Sequence, residues 1–365
     1  MKQRLYSIDA LRGLAMFLIL AIDIGGAPVF RTFTELWGEN FAKAAAVQFS
    51  YGFTDQLRLC HIAMPMFLFI VGVVIPLSVG NRLKKSGKKG IYLHIVRRSV
   101  ILFVLGLIAG GHLLQLKFDN MPLYNNVLEY ISIGYLACAL LITVGTPFRV
   151  LVSLTVFLIV LYWALFLFIP VPGWEGNPFS GEMNLAIYVD NVVLGRFHKP
   201  GSWQVLATIN FISNMLLGVL MGKIIFGERE NMSKVKYLFM AGLFMLAAGI
   251  IWGQFFPVIR SLWTSSYVLV TCGISTMLLA LFYYVIDIRG YSNRAFFFIV
   301  FGVNSIAIYM MAHMFDFRLI GNIFVGGLSS LFPSNIANFI QALGAMAVMW
   351  LIMYWMYRKK TFIKI

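Results

Sequence analysis

Between Ser7 and Gly80 the chain reads SIDALRGLAMFLILAIDIGG, then a polar interval, then CHIAMPMFLFIVGVVIPLSVG. Each apolar run holds about 20 residues, the length at which an α-helix crosses the hydrocarbon of a bilayer. Both runs carry groups that lipid tolerates poorly. Asp9 and Arg12 stand at the entrance of the first, Asp23 lies inside it, and His61 opens the second. Intramembrane charge is costly, so it marks either a paired structural site or a functional one.

The pattern recurs along the chain. Ten membrane-length runs fall roughly at 10–30, 61–80, 98–117, 125–146, 150–170, 204–226, 238–257, 264–287, 296–315 and 336–357. The expected fold is an all-α polytopic membrane protein, a bundle of about ten transmembrane helices in one integral domain spanning 1–365. With 60% hydrophobic and only 12% charged residues, a soluble domain of this size is excluded. A net charge of +15 would suit nucleic acid in a soluble protein. Here topology explains it, and no nucleic-acid partner is expected. With both termini inside, 21 of the 29 Lys and Arg fall on the inner side, as the positive-inside rule asks. The N-terminal MKQR resembles the start of a signal peptide. The run behind it is long, holds Asp23 and has no small-x-small cleavage site, so it reads as a retained helix. Cys60, Cys138 and Cys272 show no paired spacing and give no disulfide or zinc frame.

The inner stretch NRLKKSGKKGIYLHIVRR is the densest basic patch. It suits contact with anionic membrane lipid or with a nucleotide phosphate. Two longer pieces, 31–60 and 171–203, belong to the outer side. The second is rich in Gly, Pro, Trp and Asn, as for an ordered platform of turns. GxxxG spacing at Gly106/Gly110 and Gly218/Gly222 predicts close helix packing.

This topology assigns depths to the polar residues. Asp23, His61, His112, Asn125, Glu129, His313 and Asp316, from five helices, all come to the outer third of the membrane, with Asn126 beside Asn125. Together they predict a water-accessible polar cavity open to the outside. Imidazole beside carboxylate is a general-base pairing, because the acid fixes the tautomer and stabilises the protonated ring. No Gly-x-Ser-x-Gly elbow and no HExxH pattern occurs, and no metal is expected. Deeper in the runs, Asn210 and Asn214 read as helix-to-helix glue, while Asn304 and Ser305 suit either glue or a substrate path. The residues alone leave an enzyme and a transporter both open.

Several strings resemble the heparan-α-glucosaminide N-acetyltransferase family, within a wider group of transmembrane acyltransferases. They are SIDALRGLAMFLIL, PMFLFIVG, VRRSVILFVLGLI, PVPG, NLAIYVDNVVLG, VLATINFISNMLLGVLMGKI, SLWTSSYVL, VIDIRG, FGVNSIAIYMMAH and the closing YRKKTFIKI. The resemblance covers essentially the whole chain, in order. It implies transfer of an acetyl group from cytoplasmic acetyl-CoA to the amine of a terminal glucosamine on the far side. It also implies a place in a bacterial inner membrane, with an amino sugar or related glycan as the small-molecule partner. Arg97, Arg98, Lys88 and Lys89 would then meet the CoA phosphates. His61 would be the base, Asp23 would orient it, and His313 with Asn304 and Ser305 would line the acyl path. Glu129 joins the catalytic candidates. Tyr51, His112, Asn125, Asn126 and Asp190 join the substrate-binding ones. A homodimer and a single copy both stay open.

The likeness is broken at chemical positions. Counting back from Pro65, the family's catalytic histidine falls on Tyr51, its helping asparagine on Asp23, and an Asp on His61. The family's VLQRLG has become VLEYIS, with Tyr130 in place of arginine beside Glu129. Its DPEG has become GSWQ at Gly201 to Gln204. Three readings follow. His61 and Asp23 re-create the base, the acceptor or acyl group differs, or the scaffold has turned to binding or sugar transport, with Asp23 and Glu129 as proton-coupled carboxylates.

Overall fold

A computed structural model describes residues 5–22, 24–49, 57–111, 113–114, 121–199 and 205–362 of the chain, with the side chains of Glu39 and Ser86 outside that description. Fourteen α-helices follow one another among these residues. They are α1 (Tyr6–Ile22), α2 (Val29–Glu35), α3 (Glu39–Gln48), α4 (Cys60–Ala109), α5 (Val127–Thr143), α6 (Phe148–Phe168) and α7 (Leu185–Leu194). Then come α8 (Thr208–Ile225), α9 (Asn231–Trp252), α10 (Ser265–Phe282), α11 (Phe296–Val303), α12 (Ser305–Met314), α13 (Phe317–Ser329) and α14 (Ser334–Arg358). A π-helical turn, Tyr283–Ile288, continues α10. Seven helical stretches are long and apolar enough to cross a membrane, or eight if the bent pair α11–α12 is one span. The chain is an all-α, multi-pass membrane protein.

Each of the ten expected runs contains a helix, but four boundaries differ. The first span is Tyr6–Ile22 rather than 10–30, because Gly25 and Gly26 both take φ near +77° and turn the chain. The basic stretch 82–98 is helical rather than a loop. Its Leu, Lys, Arg and Ile are adequate helix formers, and only Gly87, at φ +65° with open space where a Cβ would stand, breaks α4 into Cys60–Lys85 and Gly87–Ala109. The ninth run bends by 61° between α11 and α12 at Asn304. Residues 317–329 form α13, an apolar helix too short to cross. The piece 31–60 carries α2 and α3, and the piece 171–203 carries α7.

By contacts the chain divides into two compact units. One gathers α1–α3, the first turns of α4 through Phe67, and the chain from Leu281 onward; the other runs from Leu68 to Ala280.

In the first unit α1 lies backbone to backbone on α11. A Cβ at Gly13 would strike the Phe298 carbonyl, and one at Gly302 the Asp9 carbonyl. Asp287 accepts from the Tyr6 and Ser7 N–H groups at 3.0 and 3.1 Å, covering donors that the first turn of a helix leaves without partners. The Arg12 guanidinium is 3.9 Å from Asp9. The VIDIRG string and the entry to the first span are thus tied together. The turn after α1 reaches the end of α12: Phe317 N–H donates to the Gly25 carbonyl at 3.1 Å, and Gly25 lies against Ala312 and Met349.

In the second unit α8 is buried almost all round. Gly218 and Gly222 let it approach the α4 backbone at Phe69 and Val73, and Gly72 of α4 lies against Met215 in return. The spacing of Gly218 and Gly222 predicts close packing here without naming the partner helix. Gly106 instead makes room for Glu129. Tyr162, Phe166, Phe256 and Leu262 form an apolar cluster with Leu185 and Ile187 of α7, which anchors the 171–199 segment on the spans.

Candidate functional site

Asp23, Tyr51, His112 and Gly201–Gln204 lie outside the described residues. His61 and His313 differ in the ring nitrogen they have available, and that decides what each can do.

His61, in the first turn of α4, is 1% exposed. Its Nδ1 accepts from the Arg58 backbone N–H at 3.4 Å, so the neutral ring keeps its proton on Nε2. Service as a base from Nδ1 needs that bond to open. His313, in the last turn of α12, has the other tautomer. Its Nδ1 lies 2.8 Å from the Tyr309 carbonyl, which can only accept, so Nδ1 carries the hydrogen and Nε2 keeps its lone pair. His313 is exposed and meets the Tyr309 ring at 4.3 Å between centroids. Asp316, three residues on, is spent on the start of α13, accepting from Arg318 N–H at 2.9 Å.

Asn304 lies at the other end of α12, at the bend from α11. Its Nδ2 donates to the Thr361 carbonyl at 3.1 Å, beside the C-terminal tail. Ser305 follows as the first residue of α12, and both are buried.

The second unit gathers a further polar set. Leu123 N–H donates to the Phe197 carbonyl at 3.1 Å, tying the 121–126 loop to the turn after α7. Tyr124, at φ +57°, sets its hydroxyl 2.7 Å from Thr208 Oγ1. Burial pushes this phenol above its ordinary value, and Glu129 and Asp190 push it the same way, against the Thr208 hydrogen bond. It therefore stays a protonated, donor-capable group. Asn126 caps α5, its Oδ1 accepting from Leu128 N–H at 3.0 Å, and Asn125 beside it is half-buried. Glu129 is 2% exposed. The backbone N–H groups of Tyr124, Asn125 and Asn126 converge on its carboxylate, while Oε2 has no partner among the described residues.

Asp190, in α7, is fully buried. Its Oδ1 accepts from Val205 N–H at 2.9 Å, and its Oδ2 lies 3.9 Å from His198 Nδ1. The sequence reading took Asp190 as substrate-binding and passed over His198. The signal was slight, a single His eight residues on in a turn-rich segment, and the chain reverses at Gly195 (φ +52°) to bring the two together.

Lys88, Lys89 and Arg97 are exposed on α4 beyond Gly87. Arg98 is not equivalent to them: it is half-buried, with its guanidinium carbon 4.4 Å from the centroid of the Tyr135 ring. The exposed three carry positive charge that suits an anionic group. No group of three or more His, Cys, Asp or Glu able to hold a metal ion occurs among the described residues.

No family model matches the chain. It is 26% identical over 434 residues to heparan-alpha-glucosaminide N-acetyltransferase of Mus musculus, and 26% identical over 430 residues to the enzyme of the same name from Homo sapiens. Both proteins are N-acetyltransferases by name. The similarity takes in 99% of this chain and 60% of each relative, so the chain spans about three fifths of the length of the curated relatives it matches. It agrees with the family resemblance of the strings that run from the first span to the tail.

Proposed function

We propose that the chain is a membrane N-acetyltransferase that moves an acetyl group from acetyl-CoA to the amine of glucosamine or a related amino sugar or glycan. The observation that carries this reading is the similarity to two acetyltransferases along 99% of the chain. In this reading both termini lie in the cytoplasm of a bacterial cell. The exposed Lys88, Lys89 and Arg97 meet the CoA phosphates there, and the acceptor is engaged from the opposite face of the inner membrane.

The chemistry has two requirements. An amine attacks a thioester only from its unprotonated form, so a base must receive its proton. The carbonyl oxygen gains charge as the new C–N bond forms, so donors must face it. His61, with its proton on Nε2, can supply a donor, and can supply a base once the Arg58 bond opens. His313, tied to Tyr309, has its Nε2 lone pair ready. Asp23 holds the ammonium form of the acceptor or orients His61.

Purified protein in detergent, mixed with labelled acetyl-CoA and glucosamine, tests the reading. Label on the sugar nitrogen supports it. Absence of label from folded protein, together with glucosamine flux in proteoliposomes, overturns it in favour of a transporter.

A further inference from the structure

We propose that His198 with Asp190, rather than His61 or His313, is the imidazole–carboxylate pair that accepts the proton of the acceptor amine, an inference that rests on the acyl-transfer reading above. The two residues lie on the segment between α6 and α8, which the sequence singled out as a platform of turns. The carboxylate is buried and held by its other oxygen to Val205 N–H. It is therefore a fixed charge rather than a solvated surface group. His198 presents Nδ1 to it at 3.9 Å, and that nitrogen has no hydrogen-bond partner among the described residues. An Nδ1–H directed at a carboxylate leaves the lone pair on Nε2, which is the arrangement a general base needs. The gap is longer than a hydrogen bond, as is common for catalytic pairs in ligand-free proteins. The side chain of His198 keeps 9% of its surface exposed, so the pair is shielded without being sealed.

The surroundings fit an acceptor with hydroxyl groups as well as an amine. Tyr124 and Tyr162 both stand within the field of the Asp190 carboxylate, one from the loop before α5 and the other from α6. The Tyr162 hydroxyl is taken by the Leu262 carbonyl. Among the described residues the Tyr124 hydroxyl pairs with another hydroxyl, that of Thr208, and can exchange it for a sugar hydroxyl. The charge of Glu129 reaches the same tyrosine, and its Oε2 has no partner among the described residues.

The proton accounting closes. The amine nitrogen attacks the carbonyl carbon of an acyl thioester, a C–N bond forms and the C–S bond breaks. The proton released from nitrogen passes to His198 Nε2 and then to the departing thiolate. No oxidant or further reactant is required. Asp190 stabilises the imidazolium between the two transfers without being protonated itself.

The test uses the full chain in detergent with labelled acetyl-CoA and glucosamine. His198→Gln should lower kcat by about 10²–10⁴-fold, and imidazole added to His198→Ala should restore part of the loss. Asp190→Asn removes the charge that favours the imidazolium, so the acidic limb of the kcat/KM profile moves to lower pH. An ion pair that merely braces the platform would move neither the limb nor the rescue. Transfer by His198→Gln within about threefold of the unaltered protein overturns the pair. So does an unmoved acidic limb in folded Asp190→Asn, which decides the matter even if His198→Gln does not fold. Absence of transfer by the unaltered protein instead overturns the acyl-transfer reading itself.

Discussion

The Asn210 side-chain amide donates to the Trp263 carbonyl at 2.7 Å, fixing a tryptophan whose φ of +51° is one that bulky side chains rarely adopt. The same amide reaches Ser265 Oγ at 3.3 Å, and Ser265 in turn donates to the Ile159 carbonyl at 2.7 Å. Three elements, α8, the start of α10 and α6, are joined by one buried asparagine. The SLWTSSYVL string is thus a structural knot, with Trp263 packed edge-to-face against Phe211 at 4.7 Å and Tyr267 at 5.3 Å between ring centroids. Asn210→Leu should cost about 1–3 kcal/mol by leaving buried groups without partners. A fall in the melting temperature in detergent checks this; an unchanged value would show that the knot is held elsewhere.

Glycine at the α1–α11 crossing is set by contact. Gly302→Ala should destabilise by about 1–3 kcal/mol, because the added methyl meets the Asp9 carbonyl and the helices must part. Gly80→Ala, inside α4 with nothing near the added atom, should instead be neutral or stabilising by up to about 1 kcal/mol through helix propensity. Thermal melts of the two variants side by side check the contrast.

Asp287 caps a helix 281 residues distant in sequence. Asp287→Ala should cost about 0.5–2 kcal/mol, the usual effect of losing a cap, and should loosen the first turn of α1. Faster hydrogen exchange at Tyr6 and Ser7, without change at the far end of α1, is the expected result.

Much of this architecture could be read from the chain because the membrane permits few alternatives. Apolar length marks the helices, and the spacing of Gly218 and Gly222 marks a face of α8 that packs closely, though not its partner. What could not be read arose from single dihedral angles and from folding over long intervals. Gly87 alone separates two helices in a stretch whose charges suggested a loop. Asn304 bends a span whose composition is continuous. His198 meets Asp190 only because Gly195 reverses the chain, and no periodicity records such a turn. The ring nitrogen presented by His61 depends on Arg58 N–H, a backbone contact that sequence does not encode.

The basic residues beyond Gly87 should separate by exposure. Replacing Lys88, Lys89 and Arg97 with Ala should raise KM for acetyl-CoA several-fold with kcat unchanged, the pattern of lost uniform binding. Their effect should shrink as salt screens exposed charge. Arg98→Ala should behave differently, lowering the melting temperature through loss of its seat on Tyr135. Steady-state kinetics at two ionic strengths, with melts of each variant, check both expectations.

The account rests on acyl transfer, and the most direct measurement is product identity. Full-length protein in proteoliposomes is supplied with labelled acetyl-CoA and glucosamine, and the sugar is recovered for mass spectrometry. The account predicts glucosamine carrying the labelled acetyl group on nitrogen, formed in proportion to the protein present. Glucosamine that crosses the membrane unacylated, or acetyl-CoA left intact by folded protein, would contradict it.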